Sequence, residues 1–173
     1  MEVDKLIVAM KATFDVAAIQ MIERETRKQN KSRLWYDIRY GRITASKAHE
    51  VSVCRTPDGS LVAAIMGAKI PDTAAMKRGR NLEEIVRKTI SKKLKTKIDL
   101  CGLYVCQNYP MIAASPDGVA NDAIVEIKCP TKAKSMDKYL KNGVISEKCK
   151  AQVQIQMYAA GVKVLFLCCR QKI

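Results

Sequence analysis

The chain has 173 residues, 48% of them hydrophobic, which suits one domain with an apolar core and excludes an intrinsically disordered chain. Its 31 Lys and Arg residues outweigh its 17 Asp and Glu residues, giving a formal net charge of +14. So basic a composition is typical of proteins that meet a polyanion, most often nucleic acid.

The cysteines argue against a zinc site. The chain has seven cysteines and a single histidine, His49, and no Cys-x-x-Cys pair. We expect reduced, mostly buried thiols, as in an intracellular protein. The sequence has no basic leader at residues 1–4 and no apolar stretch of membrane-spanning length, which predicts a soluble protein of the cytoplasm or nucleus.

Helical periodicity dominates the first half of the chain, where apolar residues recur at three- and four-residue spacing. The predicted elements are a helix over residues 1–29, a short helix capped by Ser32, a third helix from Thr44 or Ser46 to about Val53, a turn over 55–60 and a long helix over 73–94. Gly79 weakens the long helix by about 1 kcal/mol relative to alanine, and such a glycine often has something packed close to it. Residues 55–72 carry no motif that indicates a role.

The period changes to that of β-strands after residue 97. The predicted elements are strands over 98–106, 111–114, 123–129 and 162–169, a turn over 115–118, a short helix over 134–140 ended by Asn142-Gly143, and a helix over 146–160. This order predicts a single α/β domain over residues 1–173, with a central mixed β-sheet flanked by helices. Residues 1–31 would form an N-terminal helical segment packed on the core.

Three residues in the second half of the chain have the chemistry of a hydrolytic site. Asp117 lies in a turn, and Glu126 and Lys128 lie two apart in the next strand, so their side chains point to the same face. Two carboxylates there suit Mg²⁺ or Mn²⁺, to which the Ile127 backbone carbonyl can add an oxygen. The lysine would favour hydroxide at a metal-bound water and stabilise charge on a phosphate.

Each of these features also has an ordinary interpretation. Glu-x-Lys on a strand is commonly a solvated ion pair, and Asp117 could be only a turn residue. The combination of a turn aspartate, a buried type of strand, Glu-x-Lys and a basic chain favours the functional interpretation.

Five motifs in order carry a resemblance to a known family. Ser115-Pro116-Asp117-Gly118 and Glu126-Ile127-Lys128-Cys129-Pro130 resemble the core of the PD-(D/E)xK nucleases. The chain is similar in particular to the lambda-exonuclease (YqaJ-like viral recombinase) branch. That branch also has segments like the run from Trp35 to Ser46, a Gly-x-x-x-Glu helix, here Gly79 to Glu83, and a Gln-Val-Gln helix, here Gln152 to Gln154. The match covers about residues 25–170 and implies a restriction-endonuclease-like fold.

The resemblance implies catalytic roles for the matching residues. Asp117 and Glu126 would hold the catalytic ions, two Mg²⁺ or Mn²⁺, and Glu83 would hold or orient the second ion or its water. Lys128 would activate the attacking water, and Gln152 would position Lys128 or the scissile phosphate. The alternatives are that Glu83 pairs with a neighbouring arginine on its helix and that Gln152 is a surface amide.

The resemblance also implies a site for the 5′-phosphate at a DNA end. Arg39 and Ser46 match positions that grip this phosphate in the family, and Ser115 is a further candidate. An arginine can clamp phosphate oxygens with two hydrogen bonds, and Ser46 lies near a predicted helix N-terminus. A solvated Arg39 and a helix-capping Ser46 are the alternatives. Trp35 is expected to be a core anchor rather than a base-stacking platform.

The function that the sequence favours is a Mg²⁺-dependent exonuclease that degrades double-stranded DNA from 5′ to 3′ during recombination or DNA processing. An endonuclease or nickase with the same core, or a catalytically inactive DNA-binding module, are the alternatives. Beyond DNA, the resemblance implies two partners: further copies of the chain in a trimer, and a single-strand annealing or recombination protein. No membrane partner is expected.

Overall fold

In the computed structural model, which describes residues 3–69 and 71–169, helices pack against two small mixed β-sheets. Residues 1, 2, 70 and 170–173 of the predicted domain lie outside the described residues. The α-helices are α1 (Val3–Thr13), α2 (Val16–Glu25), α3 (Arg33–Arg39), α4 (Ala48–Val53), α5 (Ser60–Ile65), α6 (Ala74–Leu94) and α7 (Glu147–Ala160). The strands are β1 (Ile43–Thr44), β2 (Tyr104–Val105), β3 (Ile112–Ala114), β4 (Gly118–Ala120), β5 (Ala123–Lys128), β6 (Leu140–Lys141), β7 (Val144–Ile145) and β8 (Val164–Cys169). Short 3₁₀-helices cover Gln29–Lys31, Ala45–Lys47 and Ala133–Lys138.

The strands form two three-stranded sheets and a hairpin. In the first sheet β3 lies between β1, which is parallel to it, and β2, which is antiparallel. In the second sheet β5 lies between antiparallel β4 and parallel β8. The predicted mixed α/β fold is therefore confirmed, with its strands divided between two sheets. The chain passes from the first sheet to the second between β3 and β4.

The two long helices have the ends that their sequences predict. The Thr73 hydroxyl caps α6 by accepting from the Met76 N–H, and the Ser146 hydroxyl caps α7 by accepting from the Cys149 N–H. Gly161 ends α7 in the left-handed conformation that glycine favours. The expectation of close packing at Gly79 is wrong, because a Cβ added there would meet nothing within 4 Å.

The apolar core has two parts, one for each sheet. In one part, Val86 of α6 packs with Val125 and Ile127 of β5. In the other, Ile22 of α2 packs with Val105 of β2 and with Leu103, which precedes β2. The α2 contact is fixed by the Thr26 hydroxyl, which accepts from the Leu103 N–H at 2.7 Å. Because α7 contacts strands of both sheets, it spans the boundary between them.

Several predicted elements differ from the structure. The single helix over 1–29 is wrong: the Asp15 carboxylate accepts from the Ala18 N–H and starts α2 as a second helix. The prediction that Asn142-Gly143 ends a helix is also wrong. Both residues have positive φ, 50° and 79°, which suits the tight turn of the β6–β7 hairpin.

The remaining differences concern short segments. Only Tyr104–Val105 of the strand predicted over 98–106 is regular, although Asp99 makes an isolated bridge to Val119. Ile43 and Thr44 pair with β3, so the helix predicted from Thr44 or Ser46 begins at Ala48 after a 3₁₀ turn. A helix that no pattern indicated, α5, follows the predicted turn.

Two further expectations were that the cysteines are mostly buried and that no segment spans a membrane. Of the five cysteines whose side chains are described, Cys54 is exposed and the other four are partly or fully buried. Among the helices in residues 3–69 and 71–169, none has the length and apolar character needed to span a membrane.

Candidate active site

The central strand of the second sheet, β5, carries the predicted catalytic residues. Side chains from Ala123 to Ile127 are buried, and Lys128 at the end of the strand is partly exposed. Glu126 is therefore a buried carboxylate, with 3% of its surface exposed. Such a group must be paired or hydrogen-bonded to remain charged.

The Glu126 carboxylate accepts hydrogen bonds from three side chains, one on β5 and two on α7. One carboxylate oxygen, Oε1, accepts from Lys128 Nζ at 2.5 Å and from Gln152 Nε2 at 2.7 Å. The other, Oε2, accepts from Gln156 Nε2 at 2.6 Å. Gln152 Oε1 also accepts from Lys128 Nζ at 3.1 Å. The structure thus brings Glu126, Lys128 and Gln152 together, and their side chains fix one another.

Asp117 joins this group through the β4–β5 hairpin. Its N–H donates to the Val125 carbonyl at 3.0 Å, and its Oδ2 accepts from the Ile127 N–H at 2.6 Å. Burial and the negative charges of Glu126 and Glu83 raise the pKa of Asp117 well above its usual value. The three carboxylates are therefore close enough to repel one another.

Glu83 reaches the site from α6. Burial, followed by the charge of Glu126, raises the pKa of Glu83, and the charge of Arg87 opposes that rise. The proposed ion pair with a helix neighbour is absent among the described residues, since Arg80 pairs with Asp72 instead. The adjacent Glu84 is solvated and pairs with Lys88, as expected if Glu83 is the residue that faces the site.

Whether these residues suit a divalent cation can be judged from their donors. Within the described part of the chain, no three Asp, Glu, His or Cys side chains are grouped closely enough to hold a metal ion as they stand. Their chemistry nevertheless fits one, because Asp117, Glu126 and Glu83 offer hard oxygens whose mutual repulsion a cation would relieve. Glu126 Oε2 and Asp117 Oδ2, which each accept one hydrogen bond, keep a second lone pair for such a cation.

The site opens into a cleft of about 1510 Å³. Glu83, Lys128, Gln152, Arg39 and Ser46 all line this cleft, so five elements bring predicted catalytic and phosphate-binding residues to one cavity. Basic side chains predominate in its lining, which contains Arg39, Arg42, Lys47, Lys69, Arg80, Lys128 and Lys148 against Asp37, Glu50, Asp72 and Glu83. An anionic ligand is favoured in such a cleft.

Arg39 is the most enclosed of the cleft cations that have no carboxylate partner. Its guanidinium lies 4.0 Å from the centre of the Trp35 ring, and burial lowers the pKa of Arg39 to about 10, so it stays positive at neutral pH. Trp35 Nε1 in turn donates to Ser115 Oγ at 2.9 Å. Trp35 packs against the core beside α2, which confirms its predicted role as an anchor.

Ser46 and Ser115 occupy different positions relative to the cleft. Ser46 is exposed, lies 3.2 Å from the Thr44 hydroxyl and caps no helix. Ser115 is linked to Arg39 only through Trp35. Nearby, Glu50 accepts from Lys47 at 2.7 Å and from Lys148 at 2.6 Å, and these two hydrogen bonds lower the pKa of Glu50.

Two features of the site were missed by sequence reasoning. Gln156 is buried against Glu126, whereas Gln154 of the Gln-Val-Gln motif is exposed. The four-residue spacing of Gln152 and Gln156, which places both on one helix face, was the available signal. Residues 64–69, which carried no motif, form a wall of the cleft.

Most of the lysines and arginines on α6 and in residues 132–150 lie away from the cleft. Arg80 and Lys148 line it, but Arg78 donates to the Cys129 carbonyl at 3.0 Å, which ties α6 to the end of β5. Lys88 pairs with Glu84 on the surface. Most of these charges belong to the solvated exterior.

The fold is similar to that of solved alkaline exonuclease structures. LHK-Exo, an alkaline exonuclease from Laribacter hongkongensis, has a TM-score of 0.64 and 25% identity to this chain, covering 78% of this chain and 72% of its own. LHK-Exo in complex with dAMP gives a TM-score of 0.66, 24% identity and the same coverage. No curated protein sequence matches significantly.

The family assignment rests on the sequence. The family model described as YqaJ-like viral recombinase domain matches residues 34–163, and the chain belongs to this family. The predicted resemblance is thereby confirmed, and with it a nuclease of the lambda-exonuclease type.

Proposed function

We propose that this protein is a Mg²⁺- or Mn²⁺-dependent exonuclease that degrades double-stranded DNA from 5′-phosphorylated ends in the 5′-to-3′ direction. The observation that carries the proposal is the hydrogen-bonded group of Glu126, Lys128 and Gln152 beside Asp117, at the edge of a cleft in which basic side chains outnumber acidic ones. Resemblance to an alkaline exonuclease supports the substrate class.

Divalent metal ions would be held by Asp117, Glu126 and Glu83, with the Ile127 carbonyl as a further ligand. Bound there, the ions would supply a nucleophilic water and neutralise charge on the scissile phosphate. The rise in the pKa values of Asp117 and Glu83 supports this role, because it reflects burial first and then the charge of Glu126, and a cation would stabilise the charged form against both.

Lys128 acts in this proposal as a cation rather than as a base. Burial alone would lower its pKa, but the charge of Glu126, its hydrogen bond to Glu126 and the charge of Asp117 raise the pKa overall. A protonated ammonium favours deprotonation of a neighbouring water and stabilises the negative charge that develops on phosphate. Gln152 holds Lys128 in place.

The preference for a phosphorylated 5′ end rests on Arg39 and Ser46. Arg39 is stacked on Trp35 and has no carboxylate within ion-pair distance among the described residues, so its donors remain for a phosphate. Ser46 lines the same cleft with an exposed hydroxyl. Ser115 supports Trp35 and would act on the phosphate indirectly.

The proposal is tested by incubating the protein with linear duplex DNA carrying either a 5′-phosphate or a 5′-hydroxyl, in Mg²⁺ and in EDTA, alongside closed circular DNA. Faster digestion of the phosphorylated linear duplex, in Mg²⁺ only and with the circle spared, is expected. Cutting of the circle would instead identify an endonuclease. Binding without any cleavage in Mg²⁺ or Mn²⁺ would identify an inactive DNA-binding module.

A further inference from the structure

Four aromatic side chains line the cleft, and two of them are already covered. Trp35 has the Arg39 guanidinium on its ring, and Tyr139 has Lys128 Nζ 5.6 Å from its ring centre. Tyr36 and Tyr40 differ, because they line the cleft with 55% and 57% of their surfaces exposed.

Helix α3 places these tyrosines beside the proposed phosphate site. Residues four apart are neighbours on a helix surface. Trp35 and Arg39 therefore form one row, and Tyr36 and Tyr40, the C-cap of the helix, form the adjacent row. The tyrosines thus occupy the row next to a cation suited to phosphate.

Both tyrosine rings are supported from one side. The Tyr36 ring meets the Trp35 ring edge-on, with centroids 5.0 Å apart, and its hydroxyl donates to the Asn30 carbonyl at 3.3 Å. Tyr40 lies against Gly67, where an added Cβ would come within 3.1 Å of the ring. Rigid aromatic surfaces lose little conformational freedom when a ligand covers them.

The positive charge of the cleft indicates which ligand the exposed rings of Tyr36 and Tyr40 would bind. A cation-rich cleft attracts a polyanion, and a nucleic-acid strand is a polyanion that also carries planar aromatic groups. The proposed function makes that strand DNA. We propose that Tyr36 and Tyr40 form a stacking platform for the first nucleobases of the DNA strand whose 5′-phosphate binds Arg39. This inference rests on the proposed function, and it adds a binding site for bases next to the site for phosphate.

The test measures DNA binding in EDTA, where cleavage does not interfere. The probe is a short duplex whose 5′-phosphorylated strand ends in two unpaired nucleotides, with normal bases or with abasic analogues at those two positions. Tyr40→Ala should weaken binding of the normal end by about fivefold to a hundredfold. On the abasic end, the same substitution should have little effect.

Matched variants separate stacking from other roles of the ring. Tyr36→Phe and Tyr40→Phe each keep the aromatic ring. Both variants should bind the normal DNA end as the wild type does. Tyr109→Ala removes a tyrosine that is equally exposed at 50% but does not line the cleft, and it should leave binding unchanged. Thermal unfolding of each variant confirms that the fold is intact.

Two results would overturn the platform. One is unchanged binding of the normal end by both Tyr36→Ala and Tyr40→Ala; the other is an equal loss on normal and abasic ends, which would indicate support of α3 rather than stacking. Separate digestion assays in Mg²⁺ distinguish these results from failure of the proposed function. If the wild type cleaves DNA but the tyrosine variants bind normally, the proposed function stands and the stacking platform is refuted. If the tyrosine variants lose binding but the wild type does not cleave DNA, the platform stands and the proposed function is refuted.

Discussion

Replacing Gln156 by leucine removes one support of Glu126 and keeps the size of the side chain. Gln156 is 1% exposed, and its Nε2 is the donor to Glu126 Oε2 among the described residues. Losing a hydrogen bond to a buried charge costs about 1.5–3 kcal/mol. Gln156 Oε1 is buried with no described partner, so removing it returns about 1 kcal/mol.

The net expectation is a decrease of about 0.5–2 kcal/mol in the free energy of unfolding. For a chain of this size, that corresponds to a melting temperature lower by about 1–8 °C. Activity should fall by about tenfold to a hundredfold, because the carboxylate that Gln156 orients is a proposed metal ligand. Calorimetry and the rate of digestion of linear duplex DNA measure the two effects.

Gln154→Leu is the matched control, because it changes the same residue type on the exposed face of α7. It should alter stability by less than about 0.5 kcal/mol and leave activity unchanged. If Gln154→Leu had the larger effect, or if Gln156→Leu were as stable and active as the wild type, the assignment of Gln156 as the residue that orients Glu126 would be wrong.

Three further predictions concern separate parts of the structure. Thr26→Val leaves the buried Leu103 N–H without its acceptor and should destabilise the protein by about 1–3 kcal/mol in denaturant unfolding, while Thr89→Val on an exposed helix face should not. Glu50→Gln releases two cleft lysines, so DNA affinity in EDTA should rise and depend more steeply on salt. Because the pKa of Glu50 is lowered in the folded protein, its two hydrogen bonds stabilise the fold fully above the usual carboxyl pKa. This stabilisation is lost as the pH falls through the lowered pKa. Glu50→Gln should therefore lose less stability in acid than the wild type does. Arg39→Lys keeps the charge but loses the guanidinium fork and its stacking, so preference for 5′-phosphorylated over 5′-hydroxyl ends should disappear in competition binding.

The strand that carries the candidate catalytic residues could be predicted because its residues satisfy local rules. Alternation along β5 places Glu126 and Lys128 on one face, and the short β4–β5 hairpin brings Asp117 next to them. The caps of α6 and α7 were predictable for the same reason, since Thr73 and Ser146 bond to the backbone three residues ahead.

The features that were missed depend on contacts between distant segments. Gln156 is a site residue only because α7 packs across β5, and Glu50 meets Lys148 across 98 positions of sequence. The wall formed by residues 64–69 has no local pattern of its own. Such contacts arise from the arrangement of the elements, which periodicity does not determine.

The central claim is tested most directly by Lys128→Ala, with Lys132→Ala, an exposed lysine four residues away, as the control. The measurements are cleavage of 5′-phosphorylated linear duplex DNA in Mg²⁺ under single turnover and binding of the same duplex in EDTA. Cleavage should fall by about a hundredfold or more, while binding stays close to the wild-type value and Lys132→Ala cleaves normally. A folded Lys128→Ala protein that digests the duplex at the wild-type rate would contradict the proposed site.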